Sequence, residues 1–141
     1  MSHFDDVGKF HKKFGLPIVN DTEVGIIAND VFLFRYQFLQ EELQELLSAH
    51  RGGNVYGVAD ALADLVYVAL GTAHLYGIPF DEVFAEVQQA NMAKERAIDG
   101  MDARSKRAHG FDVVKPEGWT LSDIQSAIAL GISKLRGIAN G

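Results

Sequence analysis

Between Asn29 and His50 the chain runs without a proline or a glycine, and the second half of that stretch, Leu39-Gln40-Glu41-Glu42-Leu43-Gln44-Glu45-Leu46-Leu47, consists mostly of strong helix formers. Such a segment folds as one long helix. Arg51-Gly52-Gly53-Asn54 then breaks it, and Val58 to Tyr76 reads as a second long helix stopped by Gly77. Two long helices joined by so short a loop pack antiparallel, so the rest of the chain has to fit around a helical hairpin. The first half of the earlier helix, Val31-Phe32-Leu33-Phe34-Arg35-Tyr36-Gln37-Phe38-Leu39, is apolar on nearly every face. A helix at the rim of a monomer is polar on one side, so this excess implies burial against a second subunit.

The remaining segments agree with a helical bundle. Phe4, Val7, Phe10, His11 and Phe14 recur at helical spacing, with Ser2 as N-cap, Gly15 as the stop and Pro17 just beyond. Leu16 to Ala28, holding Pro17, Asn20, Asp21 and Gly25, reads as a connector. Ile78-Pro79-Phe80-Asp81 opens a fourth helix that runs to about Glu95 on a stripe of Val83, Phe84, Val87 and Ala90. Residues 97–118 read as an irregular, flexible basic loop, and a C-terminal helix over 119–136 opens with Thr120 and Asp123 spaced as a capping box. Its inner side carries Leu121, Ile124, Ile128, Ile132 and Leu135. No run alternates with period two and no repeat is present. The expected fold is all-α, about four core helices plus a C-terminal helix in a single domain of 141 residues, assembled as a dimer or tetramer.

Composition narrows the class further. With 48% hydrophobic and 23% charged residues and a mean hydropathy near zero, the chain has material for a core and is neither a disordered nor a membrane composition. No apolar stretch reaches the roughly 18 to 20 residues that a spanning helix needs, and no basic flank precedes an apolar run at the N-terminus. There is no cysteine, which removes disulfides, thiolate metal sites and thiol nucleophiles and suggests a cytoplasmic setting. The net charge of −6 opposes general nucleic-acid binding. That charge is uneven: residues 1–92 hold 13 acidic and 5 basic groups, and residues from Ala93 onward hold 8 basic and 6 acidic.

The densest polar feature is Glu41, Glu42 and Glu45, three carboxylates on one helical turn, followed by Asp60 and Asp64 one turn apart on the next helix. In an antiparallel pair the two acidic patches face each other. Hard divalent cations such as Mg²⁺ bind between a few carboxylates and substrate phosphates, while a triplet of glutamates by itself is more often a solvated face. Asp64 weighs toward the cation, because it stands within Leu62-Ala63-Asp64-Leu65-Val66-Tyr67-Val68, where an unpaired carboxylate is costly to bury. On the fourth helix Asn91 and Lys94 share a face, able to bond a base or a phosphate, or to act as ordinary helix-end residues. Arg96, Arg104, Lys106, Arg107 and Lys115 put positive charge on the loop that follows. No Glu-x-x-His pair, phosphate loop, His-Glu-x-x-His or Gly-x-Ser-x-Gly motif is present, so any catalysis in this chain has to run on carboxylates and a metal.

Several stretches occur in a telling order: Phe10-His11-Lys12-Lys13-Phe14-Gly15, Arg35 leading to Glu41-Glu42-Leu43-Gln44-Glu45-Leu46, Ala63-Asp64-Leu65-Val66-Tyr67, Gly77-Ile78, Val83 through Lys94, and Lys115-Pro116-Glu117-Gly118-Trp119. The set resembles the MazG-like all-α nucleoside triphosphate pyrophosphohydrolases, the superfamily that also holds the dimeric dUTP pyrophosphatases and phosphoribosyl-ATP pyrophosphohydrolase. The family's motif of Glu-x-x-Glu on one helix and Glu-x-x-Asp on the next falls on Glu42, Glu45 and Asp64. One position departs: Ala61 stands three residues before Asp64, and Asp60, one residue earlier, occupies the other neighbouring helical position.

The resemblance implies hydrolysis between the α- and β-phosphates of a nucleotide, with dUTP or another dNTP favoured, giving the monophosphate and pyrophosphate. It implies Mg²⁺, with Mn²⁺ as a substitute, held by Glu42, Glu45, Asp60 and Asp64. The ion neutralises the phosphates and lowers the pKa of the attacking water, and Glu41 activates that water or adds a contact to the metal. Asn91 and Lys94 hold the nucleotide, and Arg35 either orients a phosphate or forms a buried ion pair. Phosphoribosyl-ATP hydrolysis and a non-catalytic helical interaction module are the alternatives. The expected partners are the nucleotide and further copies of the chain, as a homodimer or homotetramer, with neither nucleic acid nor membrane.

Overall fold

A computed structural model of the chain describes residues 1–140, with side chains through Gly137. The elements run α1 (His3–Lys13), a 3₁₀ turn (Val19–Asp21), α2 (Asn29–Arg51), α3 (Val55–Leu75), α4 (Phe80–Met92), β1 (Glu95–Arg96), β2 (Val113–Val114) and α5 (Ile124–Asn140). The fold is helical, as expected. It divides into two compact units, Met1–Asp81 and a second that begins at Glu82.

In the first unit local signals set the helix ends. Ser2 Oγ accepts the Asp5 N–H at 3.1 Å and the Asp5 carboxylate accepts the Ser2 N–H at 3.0 Å, a reciprocal cap that starts α1. On α1 Phe4 and Val7 are buried together with His11, whereas Phe10 on the helix and Phe14 just beyond its end stay exposed. Gly53, with φ +65°, turns the chain between α2 and α3, and the Asn54 side chain accepts the Gly57 N–H at 3.1 Å to open α3. This cap starts α3 at Val55, three residues before the apolar run. Along α3 half of the six buried positions are small, Ala61, Gly71 and Ala73 beside Val68, Leu70 and His74, which lets α2 and α1 approach closely.

At 21 residues and a mean hydropathy of 1.4, α3 is by length and composition long enough and apolar enough to cross a membrane, contrary to the expectation that no segment reaches that size. Two aspartates, Asp60 and Asp64, interrupt it, which is why no unbroken apolar run shows in the sequence.

Two histidines pin α1 and α3 to the connector. His74 Nδ1 accepts the Val19 N–H at 3.0 Å, its Nε2–H donates to the Phe4 carbonyl at 2.9 Å, and its ring stacks on Phe4 with centroids 3.8 Å apart. His11 Nδ1–H donates to the Pro17 carbonyl at 2.7 Å. His74, which accepts at Nδ1 and donates from Nε2, is therefore neutral, and burial holds both rings below the usual imidazole value of 6.5. Because the folded values are depressed, the unfolded chain binds more protons as pH falls through about 6.5. Their contribution to stability is complete above that pH and is lost below it. The melting temperature is expected to hold level from pH 8 to 7 and to fall steadily toward pH 5. In His74→Gln it starts lower and falls less steeply, and a wild-type profile flat to pH 5 would refute this account.

The second unit departs from the expectation of an irregular loop. Glu95 pairs with Val114 and Arg96 with Val113 in a short antiparallel ribbon, and the Ala97 N–H extends it to the Asp112 carbonyl at 2.9 Å. Asp102 accepts the Ile98 N–H at 2.9 Å and the Nε and Nη2 edge of the Arg104 guanidinium, while buried Asp112 accepts from Ser105 Oγ at 2.7 Å and from Arg107 Nη1 at 2.8 Å. These contacts hold the Asp102 carboxyl well below the ordinary carboxylate range, Arg104 acting first, and lower that of Asp112, Ser105 acting first. Helix α5 opens later than the sequence suggested. Asp123, not Thr120, is its cap, accepting the Ser126 N–H at 3.0 Å, and Leu121 stays exposed outside the helix. The inward stripe of α5 is Ala127, Ile128, Gly131, Ile132 and Leu135.

Candidate metal centre

The antiparallel pairing of α2 and α3 puts residues 42 and 64 opposite each other, and Glu42, Glu45 and Asp64 each bring a carboxylate oxygen within 4.8 Å of the other two. Their environments differ. Glu42 is 7% exposed, Asp64 half-buried and Glu45 exposed, so the cluster opens to solvent at Glu45 and is closed at Glu42. Glu42 Oε2 is buried without any hydrogen-bond partner. Burial, followed by the negative charges of Glu45 and Asp64, with that of Asp60 weakest, pushes the Glu42 carboxyl above its ordinary value. An uncompensated carboxylate in that position is costly; a proton or a cation relieves it. A cluster of three carboxylates with one orphaned oxygen is a donor set for a hard divalent cation.

The other acidic residues stand apart. Ala61, 2% exposed, fills the inward position three residues before Asp64. Asp60 is exposed one turn back, outside the close group, with its charge still felt at Glu42. Glu41 is exposed beside the cluster.

Arg35 lies seven residues before Glu42 on the same stripe of α2, about 10 Å along the axis. Opposite it stands Gly71, seven residues after Asp64, where an added Cβ would lie 2.8 Å from His11 Nε2 and 3.2 Å from Arg35 Nη1. A glycine inside α3 thus makes room for a layer of His11 and Arg35. Burial lowers the Arg35 pKa, its Nε has no partner, and among the described residues no carboxylate lies within salt-bridge distance. The buried ion pair that the sequence allowed for Arg35 is absent there. Sequence reasoning missed this layer; its one signal was the shared seven-residue spacing from Glu42 to Arg35 and from Asp64 to Gly71.

In the second unit α4 ends at Met92, so Lys94 is not on the helix. Its N–H still reaches the Asn91 carbonyl at 3.1 Å before β1 draws the chain away. Asn91 is exposed, and Lys94 Nζ lies 5.4 Å from the Trp119 ring centroid. Trp119 is an anchor, its Nε1–H donating to the Ala90 carbonyl at 2.7 Å.

Residues 7–91, more than half of the chain, match the family model described as phosphoribosyl-ATP pyrophosphohydrolase. The chain belongs to this family. The stretch shared with the phosphoribosyl-ATP pyrophosphohydrolase family takes in most of α1, all of α2 and α3, and α4 up to Asn91, and with them Arg35 and all five acidic residues of interest. The ribbon and α5 lie outside it. An uncharacterized protein of Acanthamoeba polyphaga mimivirus is 28% identical over 82 residues, which cover 57% of this chain and 33% of the viral protein. The match thus spans about a third of that relative's length.

Proposed function

We propose that the protein is a Mg²⁺-dependent nucleotide pyrophosphohydrolase that cleaves between the α- and β-phosphates, with dUTP or another dNTP as substrate. The observation that carries the proposal is the cluster of Glu42, Glu45 and Asp64 with its orphaned Glu42 oxygen, inside the stretch shared with a pyrophosphohydrolase family. In this reading Glu42, Glu45 and Asp64 hold the cation, with Asp60 adding negative charge from one turn away. A bound divalent cation supplies charge neutralisation for the phosphates and acidifies water. Glu41, exposed beside the three ligands, accepts the proton of the water that adds to phosphorus, and pyrophosphate leaves. Arg35, Asn91 and Lys94 are assigned to nucleotide binding on their chemistry, an unpaired guanidinium, an amide and an ammonium. The family match favours phosphoribosyl-ATP as the second substrate reading.

Pyrophosphate release from a panel of dNTPs, NTPs and phosphoribosyl-ATP, with Mg²⁺ and after chelation, tests the proposal. Mg²⁺-dependent release from one of them is the expected result. Silence across the panel would favour a non-catalytic helical module. Binding itself is readable without turnover, since a ligand present at a hundred times its Kd adds about 2.7 kcal/mol to stability and raises the melting point by about 5–10 °C. Mg²⁺ or Mn²⁺ is expected to produce such a shift.

The same proposal includes a homodimer or homotetramer. Phe34 on α2 and Leu62 and Val66 on α3 are 60%, 49% and 52% exposed, a degree of apolar exposure that a partner copy would cover. Light scattering on the purified chain should read two or four copies; a monomer at micromolar concentration would remove this part of the proposal.

A further inference from the structure

The second unit holds a cavity of about 290 Å³ lined by five cationic residues, Lys94, Arg104, Lys106, Arg107 and Lys115, with one carboxylate, Asp112, and two apolar residues, Val113 and Val114. Two of the five cations are matched by their neighbours. Arg104 lies 2.9 Å from Asp102 and 3.1 Å from Glu95, and Arg107 lies 2.8 Å from Asp112. Asp112 is buried, and with Ser105 on one oxygen and Arg107 on the other it has no ion pair to offer the lysines. Among the described residues, Lys94, Lys106 and Lys115 have no carboxylate within 4.0 Å. Two of these ammonium groups lie against one ring, Lys94 and Lys115 being 5.4 Å and 4.8 Å from the Trp119 centroid.

Like charges gathered around one concavity repel, and a multivalent anion turns that repulsion into attraction. The wall is also built, not loose. The β1–β2 ribbon, the Ser105–Asp112 bond and the Trp119–Ala90 bond hold the backbone segments that carry the lysines. At the small end of the range of ligand pockets, the cavity suits a compact anion, and three unmatched ammonium groups call for more charge than one carboxylate brings. We propose that this cavity is a binding site for a phosphate-bearing anion of about pyrophosphate size, held by Lys106 and Lys115 with Lys94 at its edge.

Trp119 is the only tryptophan in the chain, so its emission reports on the site directly. Metal-stripped full-length protein, titrated with sodium pyrophosphate at constant ionic strength, is expected to show a saturable change in that emission. In Lys106→Gln and in Lys106→Gln/Lys115→Gln the midpoint should rise by about tenfold or more, with the anion-free melting temperature unchanged or higher. An emission that does not respond, or midpoints equal to wild type, overturns the proposal. A non-hydrolysable nucleotide triphosphate separates the two sources of such an anion. If it displaces pyrophosphate, the site takes the polyphosphate of a nucleotide; if the two bind without competition, the site takes a free phosphate anion. No metal and no turnover enter the titration, so it stands or falls apart from the hydrolysis assay.

Discussion

Glu42→Gln is expected to abolish metal-dependent pyrophosphate release, by about a thousandfold or more, and at the same time to raise the melting temperature of the metal-free protein at neutral pH. The loss of activity follows from removing a charged ligand at the buried end of the cluster, where the other two carboxylates converge within 4.8 Å. The gain in stability follows from linkage. Burial and the neighbouring carboxylates raise the folded pKa of Glu42 above its ordinary value of 4.5, so keeping it ionised in the fold opposes stability at neutral pH. That penalty is complete above the folded pKa and gone below the unfolded one. Glutamine keeps the shape without the charge, so the difference from wild type should be clear at pH 7 and vanish below about pH 4. Added Mg²⁺ should stabilise wild type and leave the variant unmoved. Unchanged activity, or a metal-free protein that melts lower as after an ordinary core lesion, would remove Glu42 from the centre.

Gly77→Ala is expected to be the most damaging small substitution in the first unit. Gly77 has φ +67°, and an added Cβ would stand 2.6 Å from the Thr22 carbonyl oxygen and 2.7 Å from that of Glu23. Both are backbone atoms of the connector, which the Gly25 N–H ties to the Tyr76 carbonyl at 3.1 Å, so they have little room to retreat. The left-handed conformation costs alanine about 1–2 kcal/mol, and forcing the backbone apart adds about 1–3 kcal/mol. Gly15→Ala is the matched control, with φ +70° and nothing within 4 Å of the added Cβ, so it carries the conformational cost alone. Chemical denaturation should place Gly77→Ala below Gly15→Ala by at least about 1 kcal/mol. Equal losses would mean that the connector moves freely and does not brace the end of α3.

What could be read in advance follows the range of the interaction. The Ser2–Asp5 cap, the Gly52-Gly53-Asn54 break and the Gly77 stop are contacts within a few residues, and each left a residue type at a readable spacing. The all-helical fold and the nearness of the Glu42 and Asp64 strips came from the same local source, helical periodicity and a short loop. The β1–β2 ribbon did not, because two-residue strands have no period and are held by Asp102 and Asp112 through side-chain bonds. Helix α5 starts later than its sequence suggests because Thr120 and Asp123 match a cap by spacing, whereas the Ser126 amide turns to Asp123.

Local sequence therefore set where the helices lie and which strip carries the acids, since turns, caps and periodicity act between near neighbours. Tertiary packing alone decided which acid is buried. Glu41 and Glu42 are adjacent and chemically identical, yet only Glu42 is enclosed with an oxygen that meets no donor. It also decided that His74 is bound to partners 55 and 70 residues away and that Arg35 meets no carboxylate among the described residues, because burial and pairing at such distances depend on how whole helices come together.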